Sequence, residues 1–184
     1  MSRLPTIAPQ DYTRKQKEAA EAFAVARGAE PFGPFASMLH SPDAMLAASR
    51  MGEYLRYRSA LPPRSSEFVI LLVARAWSQD FEWAIHQPIA LKEGVTAETA
   101  IAIADGRRPS QMTREEEALY DFVDELMHRR RVSDATFARV EALFGKRGAV
   151  DLTALVGYYA LLAMQMNVAE TPAPAGAPTL KRFP

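Results

Sequence analysis

The sequence predicts an all-α protein, a single-domain bundle of about eight helices. Three observations carry this reading. Capping residues and glycine stops punctuate the chain at helix-length intervals. Apolar residues recur at helical spacing between them. No hairpin turn with alternating flanks occurs. At 184 residues, with 48% hydrophobic and 24% charged residues, the composition is that of a globular chain. Residues 1–170 read as the domain, with 1–10 extended and 171–184 a proline-rich extended tail.

Leu4-Pro5 and Ala8-Pro9 disfavour helix before each proline. Residues 11–27 then read as a helix of strong formers (Ala19, Ala20, Ala22, Ala24, Ala26) stopped by Gly28. Pro31, Gly33 and Pro34 mark a loop, and a short helix is expected over 35–39. Ser41-Pro42-Asp43 opens a helix to about Arg58, proline suiting a first turn. Pro62-Pro63 opens the next, through Trp77. Its stretch 68–74 is apolar all round, so it should be buried on every side. The same stretch is the best strand candidate, but it has no partner strand.

A helix over 79–93 ends at Gly94, and a short one over 96–105 ends at Gly106. Thr113 with Glu116 three later forms a capping-box pattern for a helix to about His128. Ser133-Asp134 caps a helix to Phe144-Gly145, and a last helix covers about 149–169. That helix is apolar over more than one face, which favours self-association. The tail carries Pro172, Pro174, Pro178 and Pro184 and is expected to stay extended, free to wrap a neighbour.

Lys and Arg total 22, as do Asp and Glu, so no net positive field exists for nucleic acid or an anionic membrane. Cysteine is absent, so no disulfide argues for an oxidising compartment. The N-terminus lacks the apolar core of a signal peptide, and the apolar run 152–164 is short for a bilayer. A cytoplasmic protein with a small-molecule substrate, no nucleic acid and no membrane is the expectation.

Gln79, Glu82 and His86 fall at steps of three and four, one stripe of one helix. Carboxylate beside imidazole is the simplest acid/base pair near neutral pH. The opposite stripe, Phe81, Ala84, Ile85 and Pro88, should pack into the core. Pro88 cannot donate to the Ala84 carbonyl, so an altered turn beside His86 is expected. Glu67 lies on the preceding apolar helix with Arg64 one turn earlier. Set against this, Glu82 and His86 as an exposed pair would be worth only a few tenths of a kcal/mol. The Glu82–His86 spacing is four, not the three of a di-iron Glu-x-x-His motif, and no His-Glu-x-x-His occurs; neither metal nor cofactor is expected. His128 before three arginines reads as a solvated helix end, and His40 has no evident partner.

Pro63-Arg64-Ser65-Ser66-Glu67, the apolar helix after it and Glu82-Trp83-Ala84-Ile85-His86 together resemble the carboxymuconolactone decarboxylase family, in the superfamily of alkyl hydroperoxidase D. Residues 90–95 and the late Gly157-Tyr158-Tyr159 through Asn167 support it. The resemblance covers about 40–170 and implies an alkyl hydroperoxidase D-like helical bundle that assembles as a dimer, trimer or hexamer. In the peroxidase branch a Cys-x-x-Cys lies between this Glu and this His; Gln79 and Glu82 stand there. Peroxide reduction by thiols is therefore excluded by chemistry.

The decarboxylase branch implies a cofactor-free lyase acting on a small lactone or enolisable carboxylic acid. The resemblance then implies His86 as proton donor, Glu82 orienting it and holding its protonated form or activating a water, and Glu67 as second acid/base group. Arg64 would anchor a carboxylate, with Gln79, Tyr54, Tyr57 and Arg58 as further substrate contacts. A hydrolase, isomerase or dehydratase using the same groups is the alternative, and a non-catalytic oligomeric binding protein is a third.

Overall fold

Eight α-helices and no strand make up the computed structural model, which describes residues 2–177 and 179–182. A 3-10 turn at Pro9–Asp11 precedes α1, Arg14–Arg27, so the helix starts three residues later than expected. Thr13 sets the start: its hydroxyl accepts from the Gln16 amide and the Gln16 side chain returns the bond. Gly28 ends it at φ 68°, a left-handed cap that glycine adopts without penalty.

α2 is Pro34–Met38 and α3 is Pro42–Tyr57, each with proline in its first turn. α4 is Pro63–Ala76, α5 is Asp80–Lys92 and α6 is Ala97–Ala104. α7, Arg114–Asp124, starts on the expected Thr113–Glu116 capping box. It runs into a π-helical turn, Glu125–Arg129. α8 spans Asp134–Ala169 and is broken at Gly145, whose φ of 70° and ψ of 177° are not helical. The two helices expected around Gly145 are thus the two arms of α8.

α4 is the hub. Phe68, Val69, Ile70, Leu71, Val73 and Ala74 are fully buried, because α5, α6, α7 and α8 all pack against it. Each large aliphatic or aromatic side chain so buried stabilises by about 1.5–3 kcal/mol. This settles the strand alternative: a helix apolar on all faces needs neighbours on all faces, and α4 has them. α8 is long and apolar enough by composition to cross a membrane, but 61% of its apolar window is buried inside this fold.

Two ends tie the bundle. The Ser2 hydroxyl and the Arg3 amide donate to the Ala169 carbonyl at the end of α8. At the other end the tail returns onto its own chain. Leu180 is buried, its amide donates to Asp80 Oδ1 at 2.8 Å, and Arg182 pairs with Asp80 at 2.6 Å. Residues 179–182 thus lie along their own chain; Pro178 and Pro184 lie outside the described residues.

Candidate active site

α4 and α5 pack side by side and bring Glu67 against His86. Glu67 Oε2 lies 2.7 Å from His86 Nδ1, and both residues are buried. The bond fixes Nδ1 as the protonated nitrogen of the neutral ring, leaving the Nε2 lone pair free. The Tyr159 ring holds the imidazole edge to face at 5.1 Å.

Glu82 is the surprise. It is 3% exposed, and neither carboxyl oxygen has a hydrogen-bond partner among the described residues. Burial pushes its carboxyl well above the usual carboxylate range, which favours the neutral form. The contact with the His86 ring that was expected of Glu82 is made by Glu67 instead. A neutral carboxyl donates a proton, which an ionised one cannot.

Glu82 and His86 line one small cavity of about 80 Å³, with Arg27, Arg56, Phe81, Tyr158 and Tyr159 among its walls. Glu67 does not line it and reaches it only through His86. The α5 faces are inverted relative to expectation. The polar stripe Gln79, Glu82 and His86 is buried, while Phe81, Ala84 and Ile85 are only partly so and Pro88 is exposed. Hydrophobicity alone puts the apolar stripe inside; here the inner face belongs to the cavity. Pro88 sits within α5, which continues past it. A larger cavity of about 370 Å³, between the ends of α4, α6 and α7, contains none of these groups.

The other expected contacts are spent elsewhere. Arg64 binds Glu116 Oε1 through Nη2 at 2.9 Å and Nε at 3.2 Å. The Gln79 side chain caps α5 by accepting from the Phe81 amide and donates to Asn167 Oδ1 at 2.8 Å. The Tyr54 hydroxyl donates to buried Asp151 at 2.9 Å. Arg58 pairs with Glu53 and lies over the Tyr54 ring, and Tyr57 is exposed. None of the five lines the cavity. His128 pairs with Asp124 on the surface, and His40 Nε2 meets the Pro5 carbonyl at 3.0 Å.

Arg27, Arg56, Tyr158 and Tyr159 are the wall residues that sequence reasoning missed as site candidates. Arg56 adjoins the chosen Tyr57 and Arg58, and helical register decides which of three neighbours faces inward. Arg27 comes from α1, far from any motif. Burial pushes the Tyr158 hydroxyl up to about 12 and raises that of Tyr159 well above its ordinary value, so both stay neutral donors.

Residues 42–125 match the carboxymuconolactone decarboxylase family. No curated protein sequence matches the chain. Among solved structures, the alkylhydroperoxidase AhpD core protein of Ralstonia eutropha JMP134, an uncharacterized peroxidase-related protein, superposes with a TM-score of 0.75. It is 17% identical over 95% of this chain and 93% of its own. The debrominase Bmp8 superposes with a TM-score of 0.72 at 12% identity, covering 95% of this chain and 94% of its own. A protein of unknown function from Agrobacterium tumefaciens gives 0.62 at 20% identity, over 75% of this chain and 95% of its own. At these identities the structures show a shared fold.

Proposed function

We propose, from a chain whose residues 42–125 match the carboxymuconolactone decarboxylase family and which lacks a cysteine pair, that the protein is a cofactor-free acid–base enzyme. The finer reading is a lyase that decarboxylates a small lactone or enolisable carboxylic acid. The observation that supports it best is the pairing, in one buried recess, of a Glu67-oriented imidazole with a neutral, unpartnered Glu82.

The chemistry balances on these two groups. His86 Nε2 takes the proton of the substrate carboxyl. The bond between that carboxylate and its carbon breaks, its electron pair moves into the adjacent carbonyl system, and carbon dioxide leaves. The resulting enolate oxygen accepts a hydrogen bond from neutral Glu82, which stabilises charge where it develops. The imidazolium then returns its proton to the carbon, and Glu67 holds the cation throughout. His86 ends as it began, so no further reagent is consumed. Glu67 hydrogen-bonds His86 and does not line the cavity, so it is a positioning residue.

The test is carbon dioxide release from a panel of small oxo acids and lactone acids, with wild type and His86→Ala. Release that falls about 10²–10⁴-fold in the variant is expected. Equal release by both removes the reading. Turnover without carbon dioxide, still lost in His86→Ala, moves the same site to isomerase or hydrolase chemistry.

A further inference from the structure

Two arginines stand at the mouth of the Glu82–His86 cavity. Arg27, the last residue of α1, and Arg56, in the last turn of α3, both line it. Neither lies within ion-pair distance of a carboxylate among the described residues.

Arg27 is held in place before any ligand arrives. Its Nη2 donates to the Ser49 carbonyl at 2.9 Å and its Nε to the Ser49 hydroxyl at 3.4 Å. The guanidinium carbon lies 5.6 Å from the Phe35 ring centroid and 6.0 Å from that of Phe23. Two of its five donors go to Ser49 and another meets the Tyr158 hydroxyl, which leaves the remainder of the fork for a ligand. A planar fork already ordered loses little entropy when an anion binds.

Gly52 makes the arrangement possible. A Cβ there would lie 2.2 Å from the Tyr158 hydroxyl and 2.9 Å from Arg27 Nη2. The Tyr158 hydroxyl consequently rests against the Arg27 guanidinium.

We infer that Arg27, Arg56 and the Tyr158 hydroxyl form a clamp for an anionic group of the substrate, a carboxylate above all, at the cavity mouth. The inference rests on the acid–base reading and adds the substrate's charge to it. Glu82, with an unused donor inside, selects an acceptor oxygen at the other end of the same molecule. Ile85, Leu162 and Met166 supply an apolar wall between. The ligand class is a compact oxo acid, which for a decarboxylation carries a second carboxyl group on the carbon beside the carbonyl.

The clamp also assigns positions. Guanidinium groups stabilise the carboxylate they hold and so oppose its loss as carbon dioxide. The clamped group is the one retained through turnover. In a decarboxylation, the group that leaves lies against the apolar wall, away from both cations.

Calorimetric titration with 2-oxobutanoate, and with butanone as its uncharged counterpart, tests this on wild type, Arg27→Met, Arg56→Met and His86→Ala. Wild type is expected to bind the anion and not the ketone, with affinity that falls as salt rises. Each arginine variant is expected to weaken binding about 10- to 100-fold. Arg27→Lys, which keeps charge but loses the fork, should fall between. Circular dichroism melts confirm that each variant is folded. Failure of wild type to bind 2-oxobutanoate, or equal binding by folded arginine variants, overturns the clamp. In turnover the arginine variants should raise KM more than they lower kcat, and His86→Ala the reverse. Lost turnover in His86→Ala with unaltered arginine variants sinks the clamp alone. Normal turnover in His86→Ala with weakened arginine variants sinks the acid–base reading alone.

Discussion

Glu67 Oε2 sits 2.7 Å from His86 Nδ1, a buried bond between two helices that leaves Nε2 as the ring nitrogen for a guest. The same contact joins α4, the hub of the core, to α5, which carries the rest of the site.

Glu67→Gln keeps the shape and removes the obligatory acceptor, since an amide offers the ring either a donor or an acceptor. The neutral imidazole should then populate both tautomers. Nitrogen-15 spectra of His86 are expected to show one tautomer in wild type and a mixture in the variant. Turnover should drop about 10-fold or more, within the range of general acid–base effects. A single unchanged tautomer with full turnover speaks against the orienting role.

Glu82 makes stability depend on pH. Its carboxyl is raised in the folded protein by burial, while in the unfolded chain it titrates near its ordinary value. Above that ordinary value the unfolded chain gives up a proton that the native state keeps. Folding stability therefore falls as pH rises, by at most about 1.4 kcal/mol per pH unit for one group. Glu82→Gln removes this slope. Urea unfolding between pH 5 and 8 should show the variant gaining on wild type as pH rises; parallel curves contradict a buried neutral acid.

Arg64 is engaged within the scaffold, and its loss is expected to leave the chemistry unchanged. It is bidentate on Oε1 of Glu116, which is 3% exposed, and the other Glu116 oxygen closes the α7 cap. Arg64→Met strips a buried acceptor of two bonds and should cost about 1–3 kcal/mol in stability. Carbon dioxide release at a temperature where the variant is folded should match wild type. A large activity loss there would return Arg64 to the substrate.

The outer face of α8 carries Val150, Ala154, Gly157, Leu161, Met164 and Val168 at alternating steps of four and three. Val150, Leu161, Met164 and Val168 are exposed at 67%, 44%, 40% and 60%. This is a heptad seam with small residues at its centre, suited to a second helix of the same kind. Light scattering should give a mass at least double the 20.4 kDa chain. Leu161→Glu with Met164→Glu should lower it toward one chain. A wild-type monomer contradicts this.

Most of the fold was legible because its signals are local. Thr113 and Ser133 cap helices, Gly28 stops one, and the unbroken apolar run of α4 demands burial on all faces, whereas the Thr13 cap went unread and α1 was started too early. The site was legible in its titratable groups, since Glu67, Glu82 and His86 do share one recess or its support. Their division of labour was not. Spacing of four joined Glu82 to His86, but a contact across two helices decides which acid reaches Nδ1. Arg64, Gln79, Tyr54, Tyr57 and Arg58 were chosen for nearness in sequence; the distant Glu116, Asn167 and Asp151 hold the first three, while Arg58 pairs with nearby Glu53 and Tyr57 is exposed. Arg27 was invisible for the same reason, because only the packing of α1 on α3 brings it to the cavity.

The most direct measurement of the central claim is hydrogen–deuterium exchange at the carbon beside the carbonyl of 2-oxobutanoate in heavy water, followed by proton NMR. It reads proton transfer at carbon whatever the natural substrate. The account expects wild type to accelerate exchange, His86→Ala to abolish the acceleration, and Glu67→Gln to reduce it while the protein stays folded. Acceleration that survives intact in His86→Ala would mean that the protons are moved elsewhere.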